Sequence, residues 1–273
     1  MGNYKNKQEF EERILNFTNF IKQGYSICRA AKLSNISYPT AFKYAKNLEV
    51  KSKNNRNITN HTYFNTIDTE KKAYLLGFLL ADGCIRKEYG ENTISIMNSI
   101  DDFEIIRLFQ EEICPENKIT IIRNEYKKDT CAIKCSSPQI IDILNKNFHI
   151  KPRKTYDFDF KFPFENLDEK YIRHFIRGFF DGDGSIGSKH IEFLGTSFNF
   201  MLQLEEVFKK YIGCTCNRRI RKTKNTTQYY IYLNGLHWKE IISNVYKWFY
   251  DDSTIYLNRK RIKFENYLNT VLN

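Results

Sequence analysis

Residues 74–83 read YLLGFLLADG and residues 174–184 read HFIRGFFDGDG. Each is an apolar run of helical length that stops on Asp-Gly, first at Asp82 and Gly83, then at Asp183 and Gly184. Small residues recur four apart in both runs, Gly77 and Ala81 in the first, Gly178 and Gly182 in the second. Residues i and i+4 share one face of a helix. Glycine inside a helix costs about 1 kcal/mol relative to alanine, so paired small residues need a packing reason. Close approach of two helices supplies it. The spacing therefore predicts that the two runs pack on each other through Gly77, Ala81, Gly178 and Gly182, forming a seam between two halves of the chain.

That seam decides where the acids stand. Asp82 and Asp183 fall at helix C-termini, where a carboxylate opposes the helix dipole, and the seam brings like charges together. Divalent cations relieve both penalties, polarise a phosphate and activate water. Gly83 and Gly184 let the chain turn sharply into a strand. A single Asp-Gly is equally a plain turn after a core helix. Two copies with matching small faces argue against that simpler reading.

From residue 68 onward the whole pattern repeats. A helix over 69–81 leads to strands at GCIRKEY (83–89) and NTISIMNS (92–99) joined by a Gly-containing turn, then a helix at 101–113, strands at 118–126 and 130–137, and a helix at 137–148. The second copy gives a helix at 168–181, strands at 184–187 and 189–196, a helix at 197–213, strands at 216–224 and 227–235, and a helix at 236–249. A period of about 100 residues means two similar domains related by a pseudo-twofold. Lys154 and Lys260 sit at comparable places, each after the last helix of its copy.

Ahead of the repeats, residues 9–48 read as three short helices. Phe10, Ile14, Phe17 and Ile21 line the first, which Gly24 ends. Ser26 caps the second, with Ile27, Ala30 and Ala31. Ser37 caps the third, where Pro39 is tolerated in the first turn and Ala41, Phe42, Ala45 and Leu48 continue the apolar face. This resembles a helix-turn-helix whose last helix exposes Tyr38, Thr40, Lys43, Tyr44 and Asn47 to a DNA groove. The alternative is a small helical cap with solvated lysines. The expected fold class is α+β: two αββαββα repeats forming a β-saddle, plus a small all-α N-terminal domain. The divisions are 1–50 helical domain, 51–67 polar linker, 68–155 first repeat, 156–167 inter-repeat linker and 168–273 second repeat.

Composition narrows the function classes. With 41% hydrophobic and 27% charged residues the chain is globular rather than disordered. Apolar runs of about six residues fall far short of the ~20 that span a bilayer, so no membrane partner is expected. Seven cysteines, an odd number, argue against a disulfide framework and for a reducing, intracellular compartment. Cys214 and Cys216 lack the second pair that structural zinc requires. The formal charge is +11, and residues 1–60 concentrate it, with 11 Lys and Arg against 4 Asp and Glu. Such an excess favours a polyanionic partner, although the 27 asparagines point to an AT-rich genome whose codon bias supplies lysine as well. No nucleotide-binding glycine loop or His-Glu-x-x-His motif suggests a metabolic enzyme.

LLGFLLADG (75–83) and IRGFFDGDG (176–184) resemble the paired motifs of LAGLIDADG homing endonucleases in their single-chain, two-repeat form. The resemblance covers about residues 68–270 and includes the order of elements after each motif. It implies a monomer that needs no obligate protein partner and reads a long, asymmetric double-stranded DNA target with two saddle-like sheets. It also implies Mg2+-dependent hydrolysis, with Mn2+ as substitute, of one phosphodiester per strand, leaving four-nucleotide 3′ overhangs, in the service of intron homing. The last acid of each motif, Asp82 and Asp183, would be the metal ligand. Asp181 has Leu80 as its counterpart and is not the shared ligand. Lys154 and Lys260 would be the basic residues near the scissile phosphates, stabilising developing charge or ordering the attacking water, with Arg153 and Arg259 as alternative clamps on backbone phosphates. The water-ordering glutamine of many members is missing: the region reads IMNS (96–99) in the first repeat, where Asn98 or Ser99 can substitute, and FLGT (193–196) in the second, where Gly195 and Thr196 offer little. One half-site is therefore expected to be cut more slowly. For DNA contact the strands offer Arg86, Lys87, Arg123, Lys127 and Lys134 in the first repeat and Arg219, Arg221, Thr223, Tyr230 and Tyr232 in the second. Relatives of this fold also include RNA maturases and non-catalytic regulators; loss of the motif acids would mark that route, and both are intact here.

Overall fold

A computed structural model describes residues 7–22, 27–47, 59–88, 91–224 and 226–272, the side chains of 46, 47 and 272 excepted. Gly24, Ser26, Leu48, the turn at 89–90, positions 51–58 and the side chain of Asn47 lie outside the described residues. The chain divides into two units, 1–57 and 58–273.

The first unit holds helices α1 (Lys7–Lys22), α2 (Ile27–Leu33) and α3 (Tyr38–Asn47). Phe17 and Ile21 close on Ala30, Ala31, Ala41 and Ala45, small residues that let the helices approach. Asn35 adopts a left-handed φ of 52° between α2 and α3, a conformation that asparagine tolerates. Ser37 Oγ then accepts from the Thr40 amide at 3.4 Å, which starts α3. Phe42 departs from expectation. It neighbours Ala41 in sequence but lies about 100° round the helix, and is 54% exposed.

The second unit contains the duplication. Helix α4 (Glu70–Asp82) leads into strands β1 (Gly83–Glu88) and β2 (Glu91–Ser99), helix α5 (Phe103–Ile113), strands β3 (Thr120–Ile122) and β4 (Thr130–Ser136), and helix α6 (Pro138–Phe148). Helix α7 (Glu169–Asp183) begins the second copy, followed by β5 (Gly184–Gly187), β6 (His190–Gly195), α8 (Phe198–Ile212), β7 (Asn217–Lys222), β8 (Thr227–Leu233) and α9 (Trp238–Tyr250). Both sheets are antiparallel and share one topology, β1-β2-β4-β3 and β5-β6-β8-β7. Ile94, Ile96, Ile133, Phe193 and Ile231 point to the helix-covered side, and the alternate residues are left uncovered.

Helices α4 and α7 meet reciprocally. A Cβ built on Gly77 would lie 2.0 Å from the carbonyl oxygen of Phe175, and one on Gly178 would lie 2.1 Å from that of Tyr74. Each glycine thus faces the residue three before the other glycine, the self-complementary contact of a twofold. One on Gly182 would fall 2.3 Å from the Ala81 Cβ. Residues 73–81 of α4 are buried all round, as a helix at the centre of a domain must be.

Three features differ from the sequence expectation. Tyr63, Phe64 and Ile67, assigned to a polar linker by their Asn- and Thr-rich surroundings, are buried in the core of the second unit. Strand β3 spans only three residues, so Arg123 and Lys127 belong to the following connection. A further helix, α10 (Asn258–Leu272), closes the chain; its run of lysines and arginines hides a face anchored by Phe264. The inter-repeat segment also packs down: the Phe162 ring stacks 4.1 Å from Phe175, and the Gln203 side chain both donates to and accepts from the Phe162 backbone at 2.9 Å.

A buried polar layer crosses the seam. Arg177, fully buried, donates to Glu70 at 2.7 Å, to the carbonyls of Phe249 and Ile255 at 2.6 and 2.8 Å, and to Ser253 at 2.7 Å. Asp181 accepts from Tyr74 Oη at 2.7 Å and from the Leu257 amide at 2.9 Å. Burial raises its pKa. Asp181 therefore ties α4 to the segment that leads into α10.

Candidate active site and sheet faces

The reciprocal packing delivers Asp82 and Asp183 together at the C-terminal ends of α4 and α7. Burial pushes the Asp183 carboxyl up to about 6, and the neighbouring Asp82 charge adds to the rise, against the pull of Lys154 and Lys260. Asp82 is raised as well, again chiefly by burial. Asn98 Nδ2 donates to Asp82 Oδ2 at 3.2 Å, while its own Oδ1 accepts from the Ser99 amide at 2.9 Å, which holds the amide group in register.

Both lysines come to the same place. Lys154 Nζ donates to the Ala81 carbonyl at 2.5 Å. Lys260 Nζ donates to Phe180 O at 2.5 Å, Gly184 O at 2.7 Å and Gly182 O at 3.5 Å. Each ammonium thus sits on carbonyls at a helix end and complements its dipole. Lys260 is only 6% exposed, and burial lowers its pKa to about 8; Lys154 is half-buried and lowered for the same reason. With its donors so committed, Lys260 serves the helix end first. Lys154, from the first repeat, lines a cleft of about 240 Å3 with Asp183, Thr196 and Gln228 of the second. Gln228 was not singled out by sequence, because it comes from the fourth strand rather than the second; its only signal was alternation with Tyr230 and Tyr232.

Arg259 and Arg153 are engaged elsewhere. Arg259 forms a two-pronged pair with the buried Asp102, at 2.7 and 2.9 Å, and so links α10 to the first repeat. Arg153 pairs with Glu88 at 2.6 Å. The two-pronged pair binds Arg259 into the fold rather than leaving it for a phosphate.

The strand candidates sort by face. Arg86, Lys134, Arg219, Arg221, Tyr230 and Tyr232 lie on the uncovered sides. Lys87 does not: it shares the side of Ile85 and pairs with Asp142 of α6 at 2.6 Å. Thr223 falls past the end of β7, where its hydroxyl closes a turn on Thr226. Arg123 and Lys127 are exposed in the connection after β3. In the first unit Tyr38 and Lys43 are exposed on α3, Thr40 and Tyr44 are half-buried, and Tyr44 packs edge-on against Phe10 at 6.1 Å.

Residues 170–265 match the family model described as a LAGLIDADG-like domain. The second repeat is thus similar to a LAGLIDADG-like domain. Its motif is the α7 sequence that ends on Asp183, and the first repeat copies its topology strand for strand. Among solved structures, I-DmoI in complex with DNA and Mn is 16% identical at a TM-score of 0.49, covering 68% of this chain and 98% of that one. The homing endonuclease I-WcaI bound to its DNA recognition sequence is 14% identical at 0.46, covering 79% and 96%. Full-length DUF199/WhiA from Thermatoga maritima is 16% identical at 0.45, covering 78% and 63%. No curated protein sequence matches the chain significantly. The assignment of a LAGLIDADG-like fold rests on the matched second repeat and on the chain's own duplication.

The site suits a hard divalent cation. Among the described residues no group of three or more His, Cys, Asp or Glu side chains could hold a metal; the two carboxylates brought together at the helix ends are Asp82 and Asp183. One or two carboxylates completed by phosphate oxygens and water is the coordination that Mg2+ favours. Burial holds both carboxyls above their ordinary range although Lys154 and Lys260 pull the other way, a condition that a bound cation would relieve. No helix among the described residues is long and apolar enough to cross a membrane.

Proposed function

We propose that this protein is a site-specific double-strand DNA endonuclease of the LAGLIDADG homing type. The observation that carries the reading is the pair Asp82 and Asp183, set side by side by reciprocally packed glycine helices between two uncovered sheets that present Arg86, Arg219 and Arg221. A cation bound by the two acids would polarise the scissile phosphate and lower the pKa of water. The chain's own residues do the rest. Asn98 fixes the Asp82 carboxylate at one centre. Lys154 brings positive charge beside Asp183 at the other and stabilises charge developing on phosphate. Lys260 holds the end of α7 rigid. The sheets hold the duplex so that each strand passes one acid, and the cuts leave four-nucleotide 3′ overhangs.

The first unit extends the contacted DNA through α3, with Tyr38, Lys43 and Phe42 outward. Tethering raises the effective concentration of the second binding event. Removing residues 1–60 should weaken binding and its salt dependence and leave the cut positions unchanged; shifted cut positions would refute this role.

The test is cleavage of a randomised duplex library in Mg2+ and in Mn2+, with the ends sequenced, beside Asp82→Asn and Asp183→Asn proteins. Paired cuts four nucleotides apart, lost in both variants, are expected. Capture of specific duplexes without any cut in either metal would replace the nuclease by a DNA-binding regulator.

A further inference from the structure

The two sheets share one topology but not one chemistry. We propose that the two halves of the target differ accordingly: the first sheet selects its half-site through thymine methyl groups, and the second selects its half-site through the hydrogen-bonding edges of purines. This rests on the double-stranded DNA reading above and deepens it to the kind of sequence recognised.

The pairing register assigns the faces. On the uncovered side of the first sheet Met97 stands opposite Ala132, and Ala132 opposite Thr120. One step along, Thr130 joins Ser99 to Ile122. Met97 is 59% and Ile122 45% exposed. Across β2, β4 and β3 this stretch carries methyl, thioether and hydroxyl groups, with no ring, amide or charge. Cations stand at its margins, Lys134 two residues along β4 and Arg123 just past β3. An apolar centre with a cationic rim fits a polyanion that has apolar spots on its surface. Duplex DNA offers such spots in the major groove as the C5 methyl groups of thymine.

The second sheet is different at the matching places. Arg219 lies opposite Tyr230, and Arg221 opposite Gln228. The Tyr230 and Tyr232 rings stack at 6.3 Å, and the Tyr230 hydroxyl donates to Gln228 Oε1 at 3.0 Å. Such a ladder holds its members in fixed geometry. A guanidinium fits the O6 and N7 acceptors of guanine, and a carboxamide fits the N6 and N7 groups of adenine. Arg219, Arg221 and Gln228 are therefore purine readers, where the first sheet places Thr120, Ile122 and Thr130.

The test uses the full chain and duplexes enriched from a randomised library by binding in Ca2+. Each enriched duplex is resynthesised with deoxyuridine for thymine, or 7-deazapurines for purines, in one half only. Deoxyuridine removes the C5 methyl alone, and the deaza bases remove the N7 acceptor alone. In one half deoxyuridine should weaken binding about fourfold for each methyl group buried, and Met97→Ala with Ile122→Ala should erase that loss. In the other half the deazapurines should weaken binding, and Arg219→Ala should erase that. Equal deoxyuridine sensitivity in both halves, or a loss that survives the Met97 and Ile122 substitutions, overturns the inference while leaving the DNA reading intact. Failure to enrich any duplex removes the DNA reading itself, and this inference with it. Self-association abolished by Met97→Ala, with no effect of deoxyuridine, would assign the patch to a second copy of the chain and overturn the inference too.

Discussion

Replacing Asp183 by asparagine keeps the shape of the side chain and removes its charge, so it isolates the electrostatic strain at the seam. Burial and Asp82 raise the Asp183 carboxyl from an ordinary 3.8 to about 6. A shift of roughly two units corresponds to about 3 kcal/mol between its two protonation states. The sign follows from linkage: a raised acid stabilises the fold fully below the unfolded pKa, and that stability is lost as pH rises through the folded one. Without metal, the wild type should therefore lose up to about 3 kcal/mol between pH 4 and pH 7 from this group, and Asp183→Asn should not. Both tryptophans, Trp238 and Trp248, lie in the second unit, so their fluorescence during urea unfolding reports that unit alone. The variant is expected to match the wild type at pH 4 and exceed it at pH 7. Added Mg2+ or Mn2+ should stabilise the wild type and leave the variant unchanged, because only ligand that binds the folded site shifts the equilibrium. A stability difference that is flat with pH, or a wild type more stable at pH 7 without metal, would refute the strain argument.

Three further substitutions probe the other parts. Gly77→Ala forces a methyl to 2.0 Å from a backbone oxygen; the helices must part, and a loss of about 1–3 kcal/mol or more is expected in thermal melts. Asn98→Ala frees the Asp82 carboxylate from its one amide donor and should slow cutting at one strand by about 10- to 100-fold, seen as accumulation of a nicked duplex; equal slowing of both strands would contradict it. Arg177→Met removes the buried cation between Glu70 and the carbonyls of Phe249 and Ile255 and should cost about 3–5 kcal/mol in urea unfolding, with partial recovery when Glu70→Gln is added.

The sequence by itself determined the duplication, the order of elements in each repeat and the contact between α4 and α7. Those rest on local periodicity and on glycine, whose packing cost needs a neighbour wherever it falls in a helix. It also placed Asp82 and Asp183 at helix ends, and for the same reason: the end of an apolar run is a local fact. What the tertiary structure alone decided is how the remaining polar groups are spent. Lys260 and Lys154 looked interchangeable after their helices, but only folding shows that Lys260 is sealed onto three carbonyls while Lys154 shares a cleft with Asp183 and Gln228. Lys87 and Arg86 are neighbours in sequence and fall on opposite sides of one strand, a difference that register fixes and composition does not. The buried bonds of Arg177, Glu70 and Asp181 carried no signal, since their partners lie about a hundred residues or more away or belong to the 249–257 segment. A helix or strand is specified by its own residues. A buried charge is specified by whatever the rest of the chain brings to it.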